Sequence, residues 1–392
     1  MSDAPFLPLS EPVLGGNEWR YVKECLDTGW VSTAGRFVTA FEDSMCDRTG
    51  APNAVACQSG SAALHVALLS LGVGPGDEVI VPTITFIASV NAVAYTGASP
   101  VFMDCDGFMD IDPAKVAGFL ESECERTDRG VVDRATGCVV KAIMPVHVFG
   151  NPCDMVSLLE IADVWGLPVV EDAAESIGST WTAGPLAGRH TGSVGTFGAF
   201  SFNGNKIITS GGGGMLVSPD AALAQHARHL TTQAKADTVR YIHDEVGYNY
   251  RLTNVQAAIG LAQLELLDRY IKVKRENHAA YVDALQSVPG VSVLGVPEGT
   301  SSNHWFYSVL IEPDEAGADR EKVMAALHEE GIQSRPVWEL NHRQAPYRAA
   351  RAWGIERAQW FWERVLNVPC STNLTRTDVE RVARVVRDVC RG

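Results

Sequence analysis

Two side chains of complementary chemistry stand at the ends of apolar runs. Lys206 closes the run Phe200-Ser201-Phe202-Asn203-Gly204-Asn205-Lys206, and four successive glycines, Gly211 to Gly214, follow it. Asp172 closes Val169-Val170-Glu171-Asp172. An amine partly desolvated by apolar neighbours has a lowered pKa and can form an imine with a carbonyl compound. A carboxylate at a buried strand end can pair with a protonated ring nitrogen. Pyridoxal phosphate chemistry requires this pair: a lysine for the Schiff base and an aspartate that keeps the pyridine nitrogen protonated. Each residue also has an ordinary reading, Lys206 as a solvated lysine and Asp172 as a helix cap or a structural ion pair.

Two further stretches fit the same chemistry. Gln58-Ser59-Gly60-Ser61-Ala62-Ala63-Leu64 follows a short strand, Asn53 to Cys57. Leu64, Ala67, Leu68 and Leu71 recur at helical spacing, so a helix begins at about Ser61. Free N–H groups at a helix start suit a phosphate, although the serine serves equally as an ordinary N-cap. Phe86, in the turn after the strand Glu78 to Pro82, could stack on a planar ring or pack in the core. Gly72-Val73-Gly74-Pro75-Gly76 is not a dinucleotide-binding fingerprint, because its spacing is wrong and it follows a helix.

The elements that must position these groups alternate. Strands are expected at Pro100 to Asp104, Lys141 to Val148, Pro168 to Glu171 and Thr196 to Phe202, with helices at Pro113 to Glu121 and Asp154 to Trp165. This pattern predicts an α/β fold with a mainly parallel sheet covered on both faces. Ligands in such sheets bind at the carboxyl ends of the strands, where Asp172 and Lys206 fall. Residues 1–15 read as an extended arm, 16–265 as a large domain and 266–392 as a smaller α+β domain. A single long helix is expected from Asn254 to about Leu285, capped by Thr253.

The composition limits the remaining classes. The chain has 392 residues, 46% apolar and 20% charged, which indicates a globular protein. Its formal charge of −15 argues against a partner held through phosphate contacts, such as a nucleic acid. Nine cysteines without a C-x-x-C pair fit reduced, packed thiols. No signal-peptide pattern and no membrane-length apolar run are present, so a cytoplasmic protein is expected. No residue is assigned to a metal.

Taken together, these motifs resemble the DegT/DnrJ/StrS family of nucleotide-sugar aminotransferases, within fold type I of the pyridoxal phosphate enzymes. The resemblance spans about Pro8 to Pro369. It is carried by Gly29-Trp30-Val31-Ser32, Ser59-Gly60-Ser61, Glu171-Asp172-Ala173-Ala174, Phe200-Ser201-Phe202 with Lys206, and Gly247-x-Asn249-x-Arg251. It implies that Lys206 binds the cofactor and shuttles protons, and that Asp172 pairs with the ring nitrogen. Gly60, Ser61 and Ser201 would bind the phosphate, with Phe86 on the ring. Asn249 would reach the phosphate of a neighbouring subunit, so a homodimer is implied. Glu175 stands where many members carry a glutamine near the ring oxygen, which leaves its role open. Within the family the likeness is to the branch aminating C4 of a nucleotide-linked 4-keto-6-deoxy-N-acetylhexosamine, a precursor of bacillosamine and legionaminic-type acids. L-Glutamate would be the donor, the pyridoxamine form the intermediate state, and UDP the expected nucleotide. Trp30, His304, Trp305 and Arg335 are the candidate substrate contacts. The rival readings are a GDP-perosamine-type synthase acting on GDP-4-keto-6-deoxymannose and a non-catalytic regulatory protein of the same fold.

Overall fold

In the computed structural model, which describes residues 5–391, the alternating segments form the expected sheet. The strands of the first half are Asn53–Cys57 (β1), Asp77–Pro82 (β2), Ser99–Met103 (β3), Cys124–Thr127 (β4), Gly130–Asp133 (β5) and Val139–Ile143 (β6). Val170–Asp172 (β7), Thr180–Trp181 (β8), Phe197–Ser201 (β9) and Gly214–Ser218 (β10) follow. Strand β2 pairs in parallel with β3 and β6, and bridges from Ile143 to Val169 and from Val146 to Asp172 join β6 to β7. Strand β7 is parallel to β9, whereas β10 runs antiparallel to both β9 and β1. The sheet is therefore mainly parallel with β10 reversed. The chain reaches β10 through a loop instead of a crossover helix, and a direct return gives an antiparallel neighbour. Strands β4 and β5 add an antiparallel hairpin beside β6, which the apolar pattern did not announce.

Helices cover both faces. They are Glu18–Thr28 (α1), Arg36–Thr49 (α2), Gly60–Ser70 (α3), Ile87–Tyr95 (α4), Pro113–Glu123 (α5), Met155–Trp165 (α6) and Ala221–Thr231 (α7). Alternation along β2 divides the core. Val79 and Val81 pack with Leu64 and Leu68 of α3 and Val90 of α4, whereas Ile80 packs with Phe119 of α5 and Leu158 of α6. A strand segment buried on both faces is mostly apolar, as Val79 to Pro82 of β2 are between the two flanking clusters.

The expected long helix is two helices, Asn254–Leu264 (α8) and Leu267–Leu285 (α9). Thr253 caps α8 in a reciprocal capping box with Gln256. The break at Glu265 and Leu266 has no glycine or proline to signal it. It separates Ala257 and Ala258, packed beside Phe41 of α2, from Tyr281 and Leu285, which lie in the C-terminal core. The later strands are Lys235–Asp237 (β11), Ile242–His243 (β12), Val291–Val293 (β13), Thr300–Ser301 (β14), Tyr307–Ile311 (β15), Arg335–Pro336 (β16), Ala352–Trp353 (β17) and Val365–Val368 (β18). Strands β13, β15, β18 and β16 form an antiparallel sheet in that order. Helices Arg320–Glu329 and Arg376–Arg391 pack on it through Val323, Leu327, Val382 and Val386.

Two segments cross the division expected at residue 265. Strand β17 pairs in parallel with β3, and the N–H groups of Glu356, Arg357 and Ala358 donate to the Asp104 carboxylate. Of the N-terminal arm, residues 1–4 lie outside the described residues. The rest docks on the C-terminal sheet: Leu7 N–H donates to Gly331, and Leu9 accepts from Cys370 N–H. Among the described residues no helix is long and apolar enough to cross a membrane.

Candidate active site

Strand alternation gives the two neighbouring carboxylates of β7 different tasks. Glu171 points away from the cavity described below and accepts the N–H groups of Gly192, Val194 and Gly195 and contacts His147 Nε2 at 3.0 Å. Asp172 faces the cavity, where Ser89 Oγ donates to Oδ2 at 2.6 Å and Ala174 N–H donates to Oδ1 at 3.0 Å. Burial pushes the Asp172 carboxyl above the usual range, and the Ser89 hydroxyl, the Ala174 N–H and Lys206 pull it back. Ser89 carries no sequence signal of its own, because its role follows from the first turn of α4 lying against Asp172 at the end of β7.

Lys206 lies in the loop after β9, with its N–H bonded to the Asn203 carbonyl. Its Nζ is 3.4 Å from Glu175 Oε1 and 3.8 Å from the centre of the Trp305 ring. Trp305 is buried and donates Nε1–H to the Asn205 carbonyl, so the ring and the lysine loop are fixed to each other. Burial raises the Glu175 carboxyl to about 7, against the downward pull of Lys206 and the Phe149 N–H.

Opposite these groups, α3 begins. Ser59 is its N-cap, accepting the Ala62 N–H at 3.1 Å, so the ordinary capping reading is correct for Ser59. It leaves the start of the helix, Gly60 and Ser61, facing the same cavity as Ser201, Gly212 and Gly213. A Cβ on Gly60 would lie 2.8 Å from Ser201 Cβ, and one on Gly214 would lie 2.4 Å from the Ser59 carbonyl oxygen. The α3 start and the β9–β10 turn therefore approach as closely as backbone permits. They leave a small cradle rimmed by N–H groups and serine hydroxyls.

Asp172, Glu175, Lys206, Gly60, Ser61, Ser201, Phe86, Trp305 and Arg335 line one cavity of about 610 Å³. Phe86 is half exposed at its edge, with its ring 6.3 Å from that of Trp338. Three candidates do not line this cavity. His304 packs against His278 with ring centres 4.1 Å apart and planes tilted by 34°, and its pKa falls to about 3, chiefly through burial and then through His278. Its left-handed φ of 50° turns it from the wall that the adjacent Trp305 forms. Trp30 is exposed, and its carbonyl accepts Asn254 Nδ2–H. Asn249 is exposed, accepting from Gln233 Nε2, on the segment that follows β12. Leu9, Phe306, Val337, Trp338 and Asn367 complete the wall without having been singled out in the sequence. They come from the arm and the C-terminal sheet, whose docking the local pattern does not reveal.

Comparison with known proteins bears on this geometry. The profile of the DegT/DnrJ/EryC1/StrS aminotransferase family matches residues 12–387. GDP-perosamine synthase of Caulobacter vibrioides is 40% identical over 99% of this chain and 100% of its own. GDP-perosamine synthase of Escherichia coli O157:H7 is 39% identical over 87% of each chain. The crystal structure of DesI, solved in the presence of its TDP-sugar product, superposes with a TM-score of 0.87 at 30% identity, covering 99% of this chain and 94% of that one.

Proposed function

We propose that this chain, which belongs to the DegT/DnrJ/EryC1/StrS aminotransferase family and is a pyridoxal phosphate-dependent sugar aminotransferase, moves an amino group from L-glutamate to C4 of GDP-4-keto-6-deoxymannose. The observation that carries the substrate is the end-to-end 40% identity to a GDP-perosamine synthase. The UDP-linked acetamido sugar expected from the sequence has less support, since both relatives described above bear the GDP-perosamine name.

The cavity residues fit the cofactor. Its phosphate suits the cradle at the α3 start, where N–H groups, the helix dipole and the hydroxyls of Ser61 and Ser201 converge. Asp172 supplies the carboxylate for a ring nitrogen, and Phe86 an apolar face for the ring. Bound there, pyridoxal phosphate supplies an electron sink for the carbon from which a proton is removed. The chain supplies the rest. Among the described residues Lys206 is the one amine lining the cavity, and it receives and returns protons at Nζ. Trp305 and Phe306 exclude water beside it, which would strengthen the attraction between Asp172 and a protonated ring nitrogen. Arg335, the one guanidinium lining the cavity among the described residues, offers a planar cation to a carboxylate or a diphosphate.

Homodimerisation is part of this proposal. Asn249 does not line its own cavity, and the chain exposes large apolar groups near it and on α1. Val239, Tyr241 and Val246 are 83%, 72% and 82% exposed, and Trp19 is 75% exposed. These exposed side chains are groups that a partner subunit would cover. The regulatory reading is disfavoured because Lys206 and Asp172 share one cavity.

Mass spectrometry of products formed with glutamate and a panel of 4-keto-6-deoxy sugar nucleotides tests the assignment. Amination of the GDP-linked hexose alone is the expected result. Amination of only the UDP-linked acetamido sugar would return the substrate to the first reading. No amination by a cofactor-loaded sample would overturn both.

A further inference from the structure

Glu175 is a carboxylate in a cavity that already holds one. It is 4% exposed and cannot swing away. Phe149 N–H donates to Oε2 at 2.9 Å, and Asn303 Nδ2 holds the Glu175 carbonyl at 2.9 Å. Phe149 adopts a left-handed φ of 55° beside this contact. The remaining oxygen, Oε1, faces Lys206 Nζ at 3.4 Å. Asp172 on β7 adds negative charge nearby, burial pushes the carboxyl of Asp110, ahead of α5, well above the usual range, and His147 faces Asp172 and Glu171. Among the described residues, Lys206 makes the ion pair to Glu175.

We propose that Glu175 takes up a proton when the cofactor is seated and thereafter serves the pocket as a neutral hydrogen-bond donor at Oε1. This rests on the pyridoxal phosphate reading above. The reason is a comparison of costs. Seating the cofactor commits the Lys206 nitrogen and brings in a phosphate, while Asp172 must stay anionic. Glu175 would then be a buried carboxylate stripped of its cation, and such groups neutralise instead of remaining charged. Burial already holds this carboxyl at about 7 in the cofactor-free chain, so a small loss of compensating charge tips it. The proton comes from solvent, an O–H bond forms on Oε1, and no other bond changes.

The sign follows from linkage. A group whose pKa is raised by loading makes loading consume a proton, so affinity falls as pH rises past its cofactor-free value. Pyridoxal phosphate binding to the cofactor-free protein, measured by equilibrium dialysis, should be compared between wild type and Glu175→Gln from about pH 6 to about pH 9. The ratio of wild-type to variant affinity should fall by up to about tenfold per pH unit above neutrality. The variant should be the tighter binder at the alkaline end. The infrared difference spectrum of loaded minus cofactor-free wild type gives an answer that needs no variant. A protonated-carboxyl C=O band that shifts in D₂O should appear on loading at alkaline pH. A pH-independent affinity ratio, or no such band, overturns the proposal while leaving the cofactor assignment intact. Failure of both proteins to bind pyridoxal phosphate overturns the cofactor assignment and this proposal with it.

Discussion

At the residue scale, the chemistry reduces to an amine and an anion held apart in one cavity. Lys206→Ala removes the only amine that lines it among the described residues, so turnover should fall by about 10³-fold or more. The visible absorbance that borohydride fixes to the wild-type chain should also vanish. A variant retaining wild-type activity would sink the assignment. Ser89 tests the anion. Its hydroxyl favours the charged form of Asp172, whose carboxyl burial already pushes upward. Ser89→Ala should therefore raise that pKa further, and the acid limb of the kcat/KM profile should move to higher pH by up to about one unit. Activity on the alkaline plateau should change far less. An acid limb that stays in place would show that Asp172 is not the group titrating there.

At the element scale, the phosphate cradle exists because α3 starts where the β9–β10 turn leaves no room for a side chain. The Gly60→Ala substitution introduces a Cβ that would lie 2.8 Å from Ser201 Cβ, so one of the two must shift. Pyridoxal phosphate affinity should fall by about tenfold or more, equivalent to about 1.4 kcal/mol, whereas the far-ultraviolet circular dichroism should stay native. Unchanged affinity would place the phosphate elsewhere. Alternation within β7 makes a related point. Glu171 and Asp172 are neighbours in sequence, but one binds the 192–195 loop and the other faces the cavity.

At the scale of the whole molecule, the proposed dimer would complete each site with Asn249 from the other subunit. Mixing subunits tests this directly. Lys206→Ala and Asn249→Ala chains, each inactive alone, should regain roughly a quarter of wild-type activity when co-refolded. Half of the dimers are then mixed, and each mixed dimer has one intact site. Absence of recovery, with mixed dimers demonstrated by mass, would show that Asn249 serves its own subunit. Arg335 belongs to the same scale, because β16 carries it from the C-terminal sheet to the cavity formed mainly by the large sheet.

The sequence by itself determined the alternation of elements, the mainly parallel sheet and the nucleus of the site. Asp172 sits at a strand end, Lys206 in the loop after β9, and Gly60 and Ser61 at a helix start, and those positions are written in local periodicity and turn residues. Apolar runs broken by glycine and proline are short-range signals, so they survive without knowledge of the fold. The tertiary structure alone decided which groups share the cavity. It admitted Ser89, Leu9 and Trp338, excluded the side chains of His304 and Trp30, and turned Glu175 toward Lys206. It also broke the helix at Glu265 and sent β17 back to the large sheet. Each of these outcomes depends on contacts between segments distant in the chain. A residue's facing direction there is set by packing against partners that local pattern does not name.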